Sequence, residues 1–443
     1  MTGSHGDLPF LIYGPPGTGK TKTVVETILQ LVKKDYVHIL AVAPNPAAAD
    51  TIALRLVEHV RPGEMYRIND IGRTFSEVPD NLMLYCYSAD TYFSFPPWEK
   101  LMAAKVVVTD CMSAFEFIKA HCTNRDIAGP QRMYGTAFGR PMTHWHWTHL
   151  FVDEAAQARE PETLIPLMVV APGFEKNLPM PKLILAGDLN QLGPEIVSSV
   201  ARENGIGVSL FERLLQRPVY SQHPLARQNV YKRWEGKGWY RPAFVNLVRN
   251  YRSHEGILMM PSAMFYNSTL IPEAQQTSTL TTWKLLPNNQ IPVLFHPSAG
   301  VEIWIQDTAG WYNPSEIEIT INLVTNLLDE KNTPSTCVSQ HEIAIIAPFR
   351  EHVLRLRTAL RERNFRDVNV GTVENFQGSE SRVTILNCVR SRQRFLEWDR
   401  KKGRGVIGEK RRFNVAITRA KELLVIIGNP TILKVRPPVS QLM

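Results

Sequence analysis

Cysteine is scarce in this chain. Five residues in 443 cannot build the dense disulfide framework of a small secreted domain, and they suit a reducing compartment. Long apolar runs are missing as well. None approaches the roughly 18 residues that a membrane-spanning helix needs. Met1 to Asp7 are polar, without an apolar core, and do not read as a secretory signal. No internal repeat at solenoid spacing and no long low-complexity tract is present, which excludes array architectures. Acidic excess is also lacking. Lys and Arg number 50 against 42 Asp and Glu, so the net charge is +8 and the pI about 9.2. That balance leans towards a polyanionic partner.

What is there is an ordinary globular composition, 44% hydrophobic and 21% charged, on a chain too long for one core. Apolar runs alternate with helical stretches from end to end. Strands are expected near Phe10–Tyr13, Ile39–Ala43, Val106–Thr109, Leu150–Val152 and Leu183–Ala186, then at Ile303–Ile305, Ile343–Ile346, Val383–Leu386 and Leu423–Ile427. Most are short, β-branched and without alternation, as strands buried on both faces should be. The pattern predicts two α/β domains with mainly parallel sheets. The join is expected between Gln216 and Arg241, where apolar periodicity fades. Residues 64–98 and 267–290 read as irregular insertions.

The most informative segment is Gly14-Pro15-Pro16-Gly17-Thr18-Gly19-Lys20-Thr21, a complete phosphate-binding loop. The run Phe10-Leu11-Ile12-Tyr13 precedes it as a strand. Lys20 to Lys34 follows it, with Val24, Ile28, Leu31 and Val32 at helical spacing. Glycines let backbone N–H groups approach phosphate oxygens with no Cβ in the way, and the helix start adds partial positive charge. Lys20 is expected to reach the β- and γ-phosphates, and the Thr21 hydroxyl to join a magnesium shell. ATP and Mg2+ are therefore the expected ligands.

Leu150-Phe151-Val152-Asp153-Glu154 delivers two carboxylates to the C-terminal end of a buried strand, the edge where ligands collect in parallel sheets. Asp153 suits the metal. Glu154 can orient and deprotonate an attacking water. Gln191, beyond the strand at Leu183–Ala186, can donate to a γ-phosphate. Hydrolysis also needs positive charge on the leaving phosphates. Arg252 and Arg419, each embedded among apolar residues, are the candidate arginine fingers. Cys111, His121, Cys122, His144, His146 and His149 crowd together in sequence, but their spacings match no zinc pattern well, and packing or a surface position is the expected role.

The ordered segments GPPGTGKT, APNPAAAD, DEAAQA, GDLNQLGP, RNYRSH, IIAPFR, GTVENFQGSE and RRFNVAITRAK resemble the superfamily-one helicases of the up-frameshift type, from about Leu8 to Pro430. RNYRSH with a following FYN, and IIGNP after the final strand, are most similar to the Armitage-type RNA helicases. The resemblance implies two RecA-like domains, residues 8–240 and 241–430, forming a P-loop NTPase helicase core with ATP in the cleft. It implies single-stranded RNA as the track, 5′-to-3′ movement, and a role in RNA silencing or messenger-RNA control. RNA–protein complexes as partners, a monomeric state and a cytoplasmic place, ribonucleoprotein granules included, belong to the same expectation.

By position, the resemblance also implies that Gly378 and Glu380 face the nucleotide and that Tyr251 flanks its base. Pro44, Asn45, Thr109, Pro348, Phe349, Arg350, Thr372 and Asn375 match its nucleic-acid contacts. These are mostly hydroxyls, amides and one arginine, suited to a sugar-phosphate backbone rather than to base readout. DNA as the track, and an RNA-binding scaffold with weak catalysis, stay open as alternatives. DEAAQA lies between the DESTQA-like and DEAGH-like forms of the family. The family's upstream adenine-recognising glutamine segment and RNA-clamping subdomains have no counterpart, so the chain is expected to be the core of a larger architecture.

Overall fold

The computed structural model describes residues 7–128, 144–173, 178–227, 242–308, 310–329, 338–402 and 405–434. They form two compact units. The first comprises residues up to Gly14, Gly19–Leu189 and Gly193–Leu247. The second comprises Pro15–Thr18, Asn190–Leu192 and the chain from Val248 onwards. The expected domain boundary at 240–241, with part of the Gln216–Arg241 join, lies outside the described residues.

The first unit holds a seven-stranded sheet. From one edge its order is Met65–Arg67, Val106–Asp110, Ile39–Ala43, His149–Val152, Lys182–Gly187, Phe10–Tyr13 and Phe244–Asn246. Every pairing is parallel. Alternate residues of the central strands face opposite cores. Leu11, Leu40, Val42, Leu150 and Val152 enter one, while Ile12, Ile39, Ala41 and Phe151 enter the other. That explains why these strands read as unbroken apolar runs: both faces are covered.

The second unit repeats the plan with five parallel strands in the order Val293–Pro297, Ala420–Gly428, Ser381–Asn387, Ile343–Ile346 and Asn369–Gly371. Ile343, Ile345, Val383, Ile385 and Val425 pack to one side, and Ala344, Ile346, Leu386, Leu424 and Ile426 to the other. The two units are α/β with parallel sheets, the architecture of a P-loop NTPase core.

Two expectations need correction. Ile303–Ile305 is a strand, but it pairs antiparallel with Gly310–Tyr312 in a separate hairpin and is partly exposed. Residues 64–98 are not merely loop. They contain the edge strand Met65–Arg67, a small hairpin of Ser88–Ala89 with Tyr92–Phe93, and short 3-10 turns. The buried Arg67 guanidinium anchors the region, its Nε donating to Asp50 Oδ1 at 2.8 Å. Four strands were not among those expected: Met65–Arg67, Phe244–Asn246, Val293–Pro297 and Asn369–Gly371. All four are sheet edges.

Candidate nucleotide and nucleic-acid sites

In the first unit the strand Lys182–Gly187 lies between Phe10–Tyr13 and His149–Val152. Two strand spacings of about 4.8 Å therefore separate the phosphate-loop strand from the acid strand. The gap is spanned at the C-terminal edge. Gly14 N donates to Gly187 O at 3.1 Å. Thr21 Oγ1 donates to Asp153 Oδ2 at 2.6 Å, and Lys20 Nζ lies 3.6 Å from Glu154 Oε1. Gly187 must be glycine-sized, because a Cβ there would meet Ala156 N at 3.0 Å and the Phe211 ring at 3.1 Å.

The helix Lys20–Leu31 begins at Gly19, whose φ of 82° is left-handed. That conformation turns the chain from loop to helix and places Lys20 and Thr21 in its first turn. Lys20 is buried. Asp153 is fully enclosed, and burial first, then the charge of Glu154, push its carboxyl up to about 6. Thr21 and Lys20 pull the other way. The Asp153 carboxylate is a hard oxygen ligand held against a threonine hydroxyl. That donor pair fits magnesium, which takes few protein ligands and completes its shell from phosphate and water. Among the described residues no group of three or more His, Cys, Asp and Glu could hold a metal by itself.

Glu154 carries a backbone φ of 49°, which a non-glycine residue seldom adopts. Such strain is worth on the order of 1–3 kcal/mol and clusters at functional sites. Gln157 was not foreseen. One turn on, its Nε2 donates to Glu154 Oε2 at 2.9 Å and fixes the carboxylate. Its signal was the i, i+3 spacing within DEAAQA. Of the histidine group, His146 is buried and stacks on His38 at 4.1 Å, with burial lowering both their pKa values, whereas His121 is exposed.

The second unit includes the middle of the loop. Thr18 Oγ1 donates to Pro15 O at 2.7 Å. Asn250, also unforeseen, donates from Nδ2 to Pro16 O at 2.8 Å and accepts the Arg252 and Ser253 N–H groups at its Oδ1. Gly17 has φ 71°, and a Cβ on it would strike Asn250 Nδ2 at 2.6 Å and Arg252 Cβ at 2.7 Å. Gln191 is buried in this unit and Tyr251 is exposed.

Arg252 is largely buried. Its Nε donates to Glu380 Oε2 at 2.7 Å and its Nη1 to Thr418 O at 3.0 Å. Glu380 also pairs with Lys421 at 2.6 Å. Burial opposes its charge, but Arg252 and Lys421 outweigh that and hold its carboxyl down at about 2. Gly378, at φ 76°, is exposed, and a Cβ on it would meet no atom within 4 Å. Arg419 is wholly enclosed, donating to Val415 O at 2.9 Å, Ser379 O at 3.0 Å and Thr418 Oγ1 at 3.2 Å.

Of the expected nucleic-acid contacts, Pro44 and Asn45 follow the strand Ile39–Ala43, where Asn45 is exposed and caps a helix by accepting Ala48 N–H at 2.9 Å. Thr109 does not join them. It is fully buried and its hydroxyl donates to Ile68 O at 3.1 Å, which leaves no surface for a strand to touch. In the second unit, Ile346 and Gly371 are register partners. Pro348-Phe349-Arg350 and Thr372 with Asn375 therefore emerge side by side at one sheet edge. Arg350 and Asn375 are exposed, and Thr372 donates to Asn375 Oδ1 at 3.0 Å.

Two family models, each described as an AAA domain, match the chain. One covers residues 207–431 and the other residues 3–77 with 139–199. The chain is 36% identical over 444 residues to the human protein "RNA helicase Mov10l1", covering 99% of this chain and 33% of that one. It is 28% identical over 450 residues to the Drosophila melanogaster "Probable RNA helicase armi", covering 98% of this chain and 36% of that one. The chain thus spans about a third of the length of these relatives.

Proposed function

The chain belongs to the superfamily-one RNA helicases of the up-frameshift type, close to the Armitage group, and from that premise we propose that it is an ATP-driven motor that moves 5′-to-3′ along single-stranded RNA. The observation that carries this reading is the joining of Lys20 to Glu154 and of Thr21 to Asp153 across the strand edge. A triphosphate chain needs this set: a buried cation, a hydroxyl and carboxylate for a metal, and a positioned base.

Thr21 and Asp153 are the residues to hold magnesium, which would neutralise phosphate charge. Lys20, released from Glu154, reaches the phosphates. Glu154, oriented by Gln157, takes the proton of the attacking water onto a carboxylate oxygen. Gln191 contacts the γ-phosphate. Arg252, and after rearrangement Arg419, meet the charge that develops as the bond to the leaving phosphate breaks. Gly378, Glu380 and Tyr251 line the nucleotide. Pro44, Asn45, Pro348, Phe349, Arg350, Thr372 and Asn375 grip the RNA backbone, so affinity falls steeply with salt. Work on RNA–protein complexes in silencing or messenger-RNA control, as a monomer in the cytoplasm or its granules, follows from the same reading.

The test is phosphate release by the chain with and without single-stranded RNA or DNA, beside Lys20→Ala and Glu154→Gln. Stimulation by RNA and silence in both variants are expected. Unchanged turnover in both variants refutes the assignment, and stimulation by DNA alone moves the track to DNA. Unwinding of duplexes carrying a 5′ or a 3′ tail checks direction.

A further inference from the structure

One group of side chains in the second unit is left over by this account. The hairpin Ile303–Ile305 with Gly310–Tyr312 sets Trp304 directly opposite Trp311. Their ring centroids are 5.0 Å apart and their planes 54° apart, so Trp311 does not cover Trp304 as a parallel stack would. Trp304 remains 44% exposed, beside Val301 at 53% and Ile303 at 41%. Behind it the rings continue, with Trp311 meeting Phe395 at 4.6 Å.

The buried Arg390 guanidinium lies 4.5 Å from the Trp311 ring centre, 4.6 Å from that of Phe349 and 5.1 Å from that of Phe395. Its other edge is locked on Asp399 by two 2.6 Å bonds. Nη1 has no hydrogen-bond acceptor among the described residues, and the π faces take that place. The hairpin is thereby tied, through one rigid cation, to Phe349 of the Pro348-Phe349-Arg350 segment. Further arginines gather at the Phe395 end of the stack, where Arg392 is also paired with Glu302 at 3.2 Å. Arg394 and Arg392 each sit 4.8 Å from Phe395, and Arg350 is exposed next to Phe349. Arg394 has no carboxylate partner among the described residues.

We propose that this hairpin is a base-stacking platform for single-stranded RNA, on which Trp304 receives one nucleobase while Arg350 and Arg394 meet the flanking phosphates. The inference rests on the RNA-motor reading above and extends the track past Arg350. An exposed tryptophan braced by a stack of rings, with the exposed Arg394 on Phe395 at the far end of that stack, fits a polyanion carrying flat aromatic groups. Stacking of a base on an aromatic side chain needs no sequence preference. A docking face for an apolar protein segment would place those arginines at a disadvantage.

The experiment measures affinity for a uridine-rich single-stranded RNA, and for a series of the same RNA with one abasic nucleotide moved along it. Trp304→Ala is expected to weaken binding about tenfold and Trp304→Phe by less than about threefold. In the wild-type chain one abasic position should cost a similar factor, and Trp304→Ala should lose nothing further at that position. Arg394→Ala should lower the slope of log affinity against log salt by about one. Affinity of Trp304→Ala equal to wild type overturns the platform, as does a flat abasic scan on the wild-type chain. The scan needs no variant and so survives any folding defect in Trp304→Ala. If the wild-type chain fails to bind RNA at all, the motor reading falls and the platform with it. If RNA still binds and stimulates turnover while Trp304→Ala and the scan show nothing, only the platform falls.

Discussion

The acid corner of the first unit and the arginine corner of the second both store charge, and they do it differently. In the first, Lys20 and Glu154 meet loosely at 3.6 Å, and Asp153 holds a raised pKa beside Thr21. Each group is satisfied by a partner that a phosphate or a metal can replace. In the second, Arg252 is engaged by a half-exposed carboxylate, whereas Arg419 is spent on backbone carbonyls in the interior. Exchanging one carboxylate for a phosphate costs little, since one charge-assisted pair replaces another. Freeing Arg419 means unsatisfying several carbonyls. The two arginines, alike in sequence context, therefore differ in how ready they are to act.

The widest separation should come from removing them in turn. Arg252→Ala is expected to cut ATP turnover by about 10³ to 10⁵ while changing unfolding free energy by about 1 kcal/mol. Arg419→Ala should lose turnover and, in addition, about 2–4 kcal/mol of stability. Phosphate release and urea unfolding on the same preparations decide it. Equal destabilisation by both substitutions would erase the contrast. Next in size is Glu154→Gln, expected to lower turnover by about 10² to 10⁴ with nucleotide binding kept. Tight nucleotide binding without hydrolysis marks a lost base. Loss of both would mean that Glu154 holds the pocket together instead.

The same contrast explains what could be read in advance. The phosphate loop, Asp153 and Glu154 were legible because local chemistry dictates them: glycines at φ 82° and 71°, and acids at the end of a run buried on both faces. The central strands were legible for that second reason. The four edge strands were not, because an edge is covered on fewer sides. Val293–Pro297, for example, is only half-buried along most of its length, and its apolar run stops at Phe295, before His296 and Pro297. Thr109 was misplaced because a strand-end hydroxyl reads alike whether it faces solvent or, as here, donates to Ile68 O inside. Gln157 offered only its i, i+3 spacing from Glu154, and Asn250 offered no signal, because the role of each depends on which oxygen the fold brings to it.

A gentler probe of the acid corner is pH. Asp153, pushed up to about 6, must be deprotonated to hold magnesium. Magnesium-dependent nucleotide affinity should therefore fall as pH drops below about 6, approaching tenfold per unit. Titration of fluorescent nucleotide with and without the metal measures it. A profile flat down to pH 5 would take Asp153 out of the metal shell. Thr21→Ser, which keeps the hydroxyl, should leave the profile in place.

The last probe lies in the second unit, away from either corner, and tests whether burial sets a charge state there. Glu316 is enclosed, and burial pushes its carboxyl up to about 8 despite the N–H of Val389 donating at 2.9 Å. Its unfolded value is near 4.5, so between about 4.5 and about 8 the folded chain holds a proton that the unfolded chain has released. Stability must then fall as pH rises through that window, by up to about 1.4 kcal/mol per unit, and level off above it. Glu316→Gln mimics the protonated form and should remove the slope while leaving stability at low pH nearly unchanged. Urea midpoints of both chains from pH 5 to 9 measure the difference. Parallel curves would show that Glu316 is ionised throughout, compensated by the Val389 and Cys388 N–H groups.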